Sequence, residues 1–213
     1  MKNPVLYGHH LSGHSYKVAL LLSLSQTEYE FRHVDISLPR AERSDDFQAV
    51  SQYGEVPVLI DDGHAINQSN AILLHIAEQT PNANLIGNDR ISSLEWLFWE
   101  ANRIGFSVSN LRLYLRFKHQ PEADEITFLQ SRAQDDLERL QKELSNKPFL
   151  TGETYSIADV SCCGYLYWLA EAGLDISNWP NIQDWLNRIS QLPGWFHPDQ
   201  MPKKSQNIYC APC

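Results

Sequence analysis

The hydrophobic pattern of this chain changes near residue 80, and this change constrains the fold more than any single motif. Before it, short apolar runs of strand length alternate with segments of helical periodicity. Beyond it, nearly all apolar residues recur at helical spacing. An alternating half that closes on a hairpin fits a mixed α/β sheet flanked by helices, and the rest fits an all-helical domain. The turn-rich segment 80–84 is therefore the predicted boundary between domains at 1–80 and 88–205.

The first domain has the predicted element order β-α-β-α-β-β-α. Its expected strands cover 4–8, 30–36, 58–60 and 65–66, and its expected helices cover 16–25, 42–50 and 68–79. The last two strands flank Asp62-Gly63, a dipeptide typical of tight hairpin turns. This pairing predicts that the sheet ends in a hairpin just before the third helix.

Helical signals organise the second domain. Apolar residues keep helical spacing from 94 to 115, which predicts one long helix, and amphipathic segments follow at 133–144 and 182–192. Ser156 and Asp159 have the spacing of a capping box, which predicts that another helix starts there. The long helix also carries basic residues that we interpret as solvated surface charge: Arg112, Arg116 and Lys118.

Charge and hydropathy exclude several classes of partner. The 213 residues carry a net charge of −9, whereas binding to nucleic-acid phosphates needs a basic face. No apolar run approaches the roughly 20 residues that span a bilayer. The N-terminus runs into a short strand without the apolar core of a secretion signal. We therefore expect a cytoplasmic protein with neither a nucleic-acid nor a membrane partner.

The cysteines predict no disulfide framework. Cys162 and Cys163 sit together in an apolar helical segment, which is typical of buried thiols. Cys210 and Cys213 form a C-x-x-C pair, which is a redox motif where a helix N-terminus stabilises the thiolate. Here the pair follows a polar tail with no helix after it, so an incidental or metal-scavenging role is favoured over redox chemistry.

Two neighbouring segments have features of a ligand site. Segment 55–59 is an apolar strand with Pro57 at its head, where a ladder hydrogen bond cannot be donated. Gln68 and Ser69 open an apolar helix, whose first N–H groups favour an anion. A ligand with a peptide-like middle and a free carboxylate would suit both segments.

The Val-Pro strand, the Gln-Ser helix start and the Ser-x-x-Asp box together resemble the cytosolic glutathione transferase family. Segment 12–18 resembles bacterial members, and serine-type ones in particular. The resemblance implies an N-terminal thioredoxin-like domain, a C-terminal all-helical domain and a homodimer. It also implies a detoxification enzyme that conjugates the thiolate of its co-substrate glutathione to small apolar electrophiles.

The same resemblance assigns the glutathione contacts. The Val56-Pro57 bond would be cis, and the Val56 backbone would then pair with the cysteinyl part of glutathione like an added strand. Gln68 and Ser69 would hold the γ-glutamyl end, although a plain helix N-cap is the alternative for this pair. Arg43, or else Arg40, could meet the glycyl carboxylate. His14 is a further candidate contact, and Glu55 departs from the family pattern because it adds an acid beside an anionic ligand.

Family enzymes lower the pKa of the glutathione thiol with a hydroxyl or a cysteine near the first helix. Ser12 is the candidate catalytic residue, since it stands where serine-type members carry theirs. Ser15, which we expect to be the helix N-cap, and Tyr7, at the end of the first strand, remain alternatives. No cysteine occurs in this region, which argues against a cysteine-type mechanism.

A metal site is not expected in this loop, although His9 and His10 are adjacent to each other there. Neighbouring side chains on extended chain point to opposite sides, whereas a metal needs converging ligands. We therefore predict no metal.

The electrophile pocket would be lined by the loop over 8–14 and the long helix, with the segment around Trp195 and Phe196 as a further candidate wall. The helix residues assigned to it are Trp99, Asn102, Arg103 and Phe106. Two other functions stay open: reduction of peroxides or disulfides by glutathione at the same site, and a non-catalytic glutathione-binding interaction module.

Overall fold

The structure is a computed structural model, and it describes residues 3–80, 84–117 and 122–209. Most of the predicted boundary segment, Lys118 and the Cys210/Cys213 pair lie outside these residues. The chain divides into a first unit, Met1–Leu85 with Leu192–Cys213, and a second unit, Ile86–Gln191. The sequence-based prediction assigns residues 192–205 to the helical domain, whereas this division places them in the first unit.

The first unit contains a five-stranded mixed sheet. Its elements are β1 Val5–Gly8, α1 Gly13–Leu24, β2 Tyr29–His33, α2 Asp45–Val50, β3 Val58–Asp61, β4 His64–Asn67, α3 Ser69–Gln79 and β5 Gln206–Tyr209. The strand order is β4-β3-β1-β2-β5. Only β1 and β2 run parallel among these neighbours. The predicted order β-α-β-α-β-β-α is confirmed, and β5 is an addition to it.

Local sequence explains where these elements begin and turn. Asp62 and Gly63 have φ values of 48° and 78°, as the two central residues of a tight hairpin turn require. Ser12 is the N-cap of α1, and its Oγ accepts a hydrogen bond from Ser15 N at 3.2 Å. The expectation that Ser15 caps this helix is therefore wrong, because the helix begins one turn earlier than its apolar pattern indicates.

The C-terminal segment belongs to the first unit through specific hydrogen bonds. The Tyr16 hydroxyl donates to Phe196 O at 2.8 Å, and the His33 N–H donates to Ser205 Oγ at 3.0 Å. β5 then pairs antiparallel with β2. Phe196 is 1 % exposed, so it is part of the core of the first unit.

The second unit is helical. Its helices are α4 Arg90–Asn102, α5 Ile104–Phe117, α6 Ala123–Glu143, α7 Ile157–Cys163 and α8 Pro180–Ser190. The single long helix predicted over 94–115 is wrong, because the chain breaks at Arg103 (φ −115°, ψ −99°). Gly105 permits the break, since a Cβ there would lie 2.9 Å from the Glu100 carbonyl oxygen. In the part of the chain that the structure describes, no helix is both long and apolar enough to cross a membrane.

The start of α7 is held by a network of hydrogen bonds. Ser156 and Asp159 form the predicted capping box, which is confirmed. The fully buried Asp159 carboxylate also accepts from Leu150 N at 2.8 Å and from Trp185 Nε1 at 2.8 Å. Burial raises the pKa of Asp159, while these hydrogen bonds oppose the rise.

Two further expectations concern side-chain burial in the second unit. Cys162 and Cys163 are buried free thiols, as predicted. Arg112 is only 3 % exposed, donates to Glu171 Oε2 at 2.7 Å and stacks over the Trp168 ring at 4.0 Å. The interpretation of Arg112 as solvated surface charge is therefore wrong.

Candidate functional site

A cleft of about 100 Å³ lies where the chain enters β3 and leaves β4. Its lining brings together five of the residues that the sequence predicted, together with three others. These are His14, Val56, Pro57, Gln68 and Ser69, joined by Tyr53, Glu55 and Asn67. The volume is below the roughly 300 Å³ of a pocket that encloses a drug-sized ligand. The cleft therefore suits a head group, with the remainder of a ligand lying along the surface.

The Val56 backbone stands at the edge of this cleft. The Val56-Pro57 peptide bond is cis, which confirms the expectation from the resemblance. The paired register of β3 with both of its neighbours begins only at Val58. The sheet ladder therefore does not use the Val56 backbone groups, and an extended ligand can pair with them.

Gln68 and Ser69 form the other wall of the cleft. α3 begins at Ser69, and Gln68 occupies the N-cap position without a side-chain capping bond in the described structure. Gln68 has φ 73° and ψ 118°, a conformation that non-glycine residues rarely adopt and that is concentrated at functional sites. The N–H groups of a helix start favour an anion, so this wall fits a carboxylate.

Glu55 lies in the lining, but its charge is compensated. Its Oε1 accepts from Arg40 Nη2 at 2.8 Å. Both side chains are more than half exposed, so the pair adds little to stability. It nevertheless places a cation beside the acid, which reduces the repulsion expected between Glu55 and an anionic ligand.

Arg43 is held by the loop before β3. Its guanidinium donates to Ile36 O, Leu38 O and Gly54 O at 3.2, 3.3 and 2.5 Å, and it is not among the cleft residues. A contact between Arg43 and a glycyl carboxylate stays a prediction, and the geometry gives Arg43 a loop-organising role instead.

Ser12, the candidate thiol activator, lies at the start of the first helix. It is 7 % exposed and caps α1, where the helix dipole favours an anion. The cap uses one lone pair of its oxygen, and a hydroxyl also has a proton to donate. Ser12 and Ser15 are not among the residues that line the cleft, so the catalytic assignment of Ser12 stays a prediction.

The other two hydroxyls have less suitable surroundings. Ser15 is fully buried, and its Oγ accepts from His9 N at 3.2 Å. The Tyr7 hydroxyl accepts from Arg32 Nη1 at 2.6 Å and donates to Asp46 Oδ2 at 3.2 Å. Burial raises the pKa of Tyr7, which makes its hydroxyl a poorer proton donor.

In the second unit, the residues predicted for the electrophile pocket surround the break between α4 and α5. Trp99 packs edge-on against Trp96, with ring centroids 5.1 Å apart. Arg132 donates to Asn102 O at 2.8 Å and lies over the Phe106 ring at 5.3 Å.

Arg103, at the break itself, lies 3.7 Å from the buried Asp136 carboxylate. The pocket role of Trp99, Asn102, Arg103 and Phe106 stays a prediction.

Sequence reasoning missed Tyr53 and Asn67 in the cleft. Tyr53 is an isolated aromatic residue that is 46 % exposed, and nothing in the hydrophobic pattern marks it. Asn67 accepts from Gln52 N at 3.1 Å and so connects the loop before β3 to the end of β4. Its position directly before Gln68 was the one available signal.

Comparison with known proteins decides the family. Residues 6–84 match the model of the glutathione S-transferase N-terminal domain, and residues 111–193 match that of the C-terminal domain. A solved glutathione S-transferase from Pseudomonas fluorescens Pf-5 is 31 % identical, with a TM-score of 0.84. The alignment covers 92 % of this chain and 98 % of that one. The chain belongs to the glutathione S-transferase family.

Relatives of this glutathione S-transferase family member differ in their reactions. It is 28 % identical to the disulfide-bond oxidoreductase YfcG of Escherichia coli K12, over 85 % of this chain and 87 % of the relative. It is 25 % identical to a probable maleylacetoacetate isomerase of Caenorhabditis elegans, over 97 % of this chain and 98 % of that relative. Family membership supports a glutathione-related enzyme activity, while these names represent more than one reaction.

Proposed function

We propose that this protein is a glutathione transferase that conjugates the glutathione thiolate to small apolar electrophiles. The observation that carries the proposal is the cleft between the Val56-Pro57 bond and the start of α3. It combines an unpaired backbone edge with a helix N-terminus, as a tripeptide with a carboxylate head requires.

The proposed mechanism uses three parts of the first unit. Gln68 and Ser69 hold the γ-glutamyl carboxylate, and the Val56 backbone pairs with the cysteinyl residue. The Ser12 hydroxyl donates to the sulfur, and this favours the thiolate over the thiol. The sulfur then bonds to the electrophilic carbon while the leaving group departs with its electron pair, the thiol proton having passed to solvent.

The test is a glutathione titration followed by the ultraviolet absorbance of the bound thiolate. Wild type should form thiolate near neutral pH, and Ser12→Ala should lose most of it. Ser12→Thr is the matched control, because it keeps both the hydroxyl and the N-cap. Thiolate formation that is unchanged in Ser12→Ala but lost in Ser15→Ala would contradict the assignment.

A second candidate function is glutathione-dependent disulfide reduction, which the similarity to the E. coli oxidoreductase favours. One glutathione thiolate would attack a substrate disulfide and expel a substrate thiolate. A second glutathione would then release the remaining substrate thiol and leave as oxidised glutathione. Measurable mixed-disulfide turnover together with negligible conjugation of chlorodinitrobenzene would select this function.

A non-catalytic glutathione-binding interaction module remains the third alternative. Glutathione binding without turnover of any electrophile, peroxide or disulfide would support it.

We further propose that the protein acts as a cytoplasmic homodimer in detoxification. Sedimentation equilibrium tests the assembly, and a monomer at micromolar concentration would contradict it.

A further inference from the structure

Three histidines converge at one edge of the sheet in the first unit. β1 and β2 are parallel neighbours, and Gly8 stands opposite His33 in their register. Parallel strands end at the same edge, so His9 and His10, which follow Gly8, lie beside His33. The ring centroids are 4.4 Å apart for His9 and His10, 4.9 Å for His9 and His33, and 5.5 Å for His10 and His33.

The expectation that His9 and His10 point apart is therefore wrong. It assumed extended chain at both residues, whereas β1 ends at Gly8 and His10 lies in a turn. Adjacent side chains in a turn can face the same side, and here they share that side with His33.

The ring nitrogens have the spacing of metal ligands. One nitrogen from each ring lies within 4.8 Å of the others. His10 Nδ1 and His33 Nε2 are 3.3 Å apart, which is long for an N–H hydrogen bond. Two nitrogens bound tetrahedrally to zinc at about 2.05 Å would lie about 3.3 Å apart. The His10–His33 pair is therefore already at ligand spacing.

Burial favours the neutral form of the three histidines. His9 is 8 % exposed, and burial, followed by the proximity of His10 and His33, lowers its pKa to about 4. Burial also lowers the pKa of His10 and of His33. Metal ions bind the neutral imidazole, which is the form that burial favours.

The charged groups that face the cluster have opposite effects on the protonation of the histidines. The Asp35 carboxylate favours positive charge at His9 and His33. Lys203, in the C-terminal segment, disfavours positive charge at His10.

His9 differs from the other two in one hydrogen bond. The Leu11 N–H donates to His9 Nδ1 at 3.1 Å, which leaves the ring proton on Nε2. Binding through either nitrogen therefore requires this bond to be given up. His9 should contribute less to affinity than His10 or His33.

We propose that His9, His10 and His33 form a binding site for a divalent transition-metal ion, with zinc as the best fit and one open coordination position. Three imidazoles suit zinc in tetrahedral geometry. This proposal does not depend on glutathione binding, since none of its three residues is assigned to glutathione.

The test is a titration of the full chain, without a histidine tag, with Zn²⁺ by calorimetry and with Co²⁺ by visible absorption. A parallel titration uses the Cys210→Ser/Cys213→Ser chain, which removes the terminal thiols as competing ligands. We expect one equivalent of metal in both chains and the visible bands of tetrahedral Co²⁺ without a thiolate charge-transfer band. Binding that disappears in the serine chain would overturn the proposal.

Single variants assign the ligands. Loss of a hydrogen-bond partner of a metal ligand already costs about 10- to 100-fold in affinity, so His10→Ala and His33→Ala should each cost at least about 100-fold. His9→Ala should cost about tenfold, because its Leu11 hydrogen bond competes with the metal. His64→Ala is the matched control, since His64 starts β4 at the opposite edge of the sheet, and it should bind as wild type.

Circular dichroism of each variant, together with His33→Gln as a second variant, separates loss of a ligand from loss of the fold. Wild type that binds neither ion at millimolar concentration would overturn the proposal. So would folded His10 and His33 variants that bind as tightly as wild type. A His9→Ala chain with unchanged affinity would overturn the three-histidine site.

Discussion

The starts of α1 and α7 are both capped by serine, yet their surroundings differ. Ser156 is fully buried, and Thr151, Ala158 and Asp159 all hydrogen-bond to its hydroxyl. Ser12 is 7 % exposed, and the hydrogen bond that its hydroxyl makes in the described structure is the cap to Ser15 N. The same residue at the same helical position is thus part of a closed network in one unit and retains donor capacity in the other.

This difference separates a folding role from a functional one. A closed network stabilises the helix start and has no capacity for a ligand. A cap that uses one lone pair leaves the hydroxyl able to act on something else. The comparison predicts that changes at the start of α7 affect stability. Changes around α1 and the cleft should instead affect the binding and activation of glutathione.

The largest effect is expected for Asp159→Ala. This change leaves the buried donors on Leu150, Ser156 and Trp185 without their acceptor. At about 1–3 kcal/mol for each unsatisfied buried group, the free energy of unfolding should fall by at least about 3 kcal/mol. Urea denaturation measures this. A loss below about 1 kcal/mol would mean that the network is not a folding element.

Ser12→Ala should affect catalysis more than stability. Loss of the cap should cost about 1 kcal/mol of stability, whereas kcat/KM for conjugation should fall about 100-fold, as for removal of one donor to a catalytic anion. Steady-state kinetics and thermal melting of the same preparation separate the two effects. A variant that loses stability but keeps kcat/KM would give Ser12 the same structural role as Ser156.

Gln68→Gly should improve stability while it weakens binding. Glycine adopts φ 73° without strain. Relief of about 1–3 kcal/mol of backbone strain should exceed the roughly 0.4–1 kcal/mol that glycine costs through the unfolded state, so the free energy of unfolding should rise. Glutathione should bind at least about tenfold more weakly, since a hydrogen bond to a charged group such as a carboxylate is worth about 1.5–3 kcal/mol. Gln68→Ala is the control that removes the amide and keeps the strain. Unchanged affinity in both variants would remove Gln68 from the site.

The smallest effect is expected at the exposed Arg40–Glu55 pair. Arg40→Ala should change stability by less than about 1 kcal/mol, but it leaves the Glu55 carboxylate uncompensated in the cleft. Glutathione affinity should then fall a few-fold at low salt, and 1 M salt should largely abolish the difference. The double variant with Glu55→Gln should restore binding. Calorimetry at two ionic strengths tests this, and a salt-independent loss would contradict it.

The sequence predicted the parts of the structure that depend on local rules. The hairpin at Asp62-Gly63, the capping box at Ser156 and the grouping of Gln68 with Ser69 all follow from turn, cap and helix-start chemistry. The cis Val56-Pro57 bond was an expectation from the family resemblance, because the residues alone do not predict a cis bond.

The remaining features depend on particular contacts that the hydrophobic pattern does not show, some local and some between residues distant in sequence. The cap at Ser12 extends α1 beyond its apolar pattern, and the break at Arg103 depends on the close approach of Gly105 to Glu100. The burial of Arg112 depends on Glu171 and Trp168. Likewise, the histidine cluster joins a loop to the end of a strand more than twenty residues later. Periodicity carries no information about such partners.

The pairing of β5 with β2 has a consequence for synthesis on the ribosome. Every residue of the helical unit is translated before the last strand of the sheet emerges, so the helical unit can fold while the first unit is still incomplete. A fragment that ends at the first family boundary, residue 84, would expose the hydrogen-bonding edge of β2. We therefore expect the thioredoxin-like part to aggregate when it is expressed alone. Joining the segment from residue 192 onward to this fragment through a short linker should cover the exposed edge.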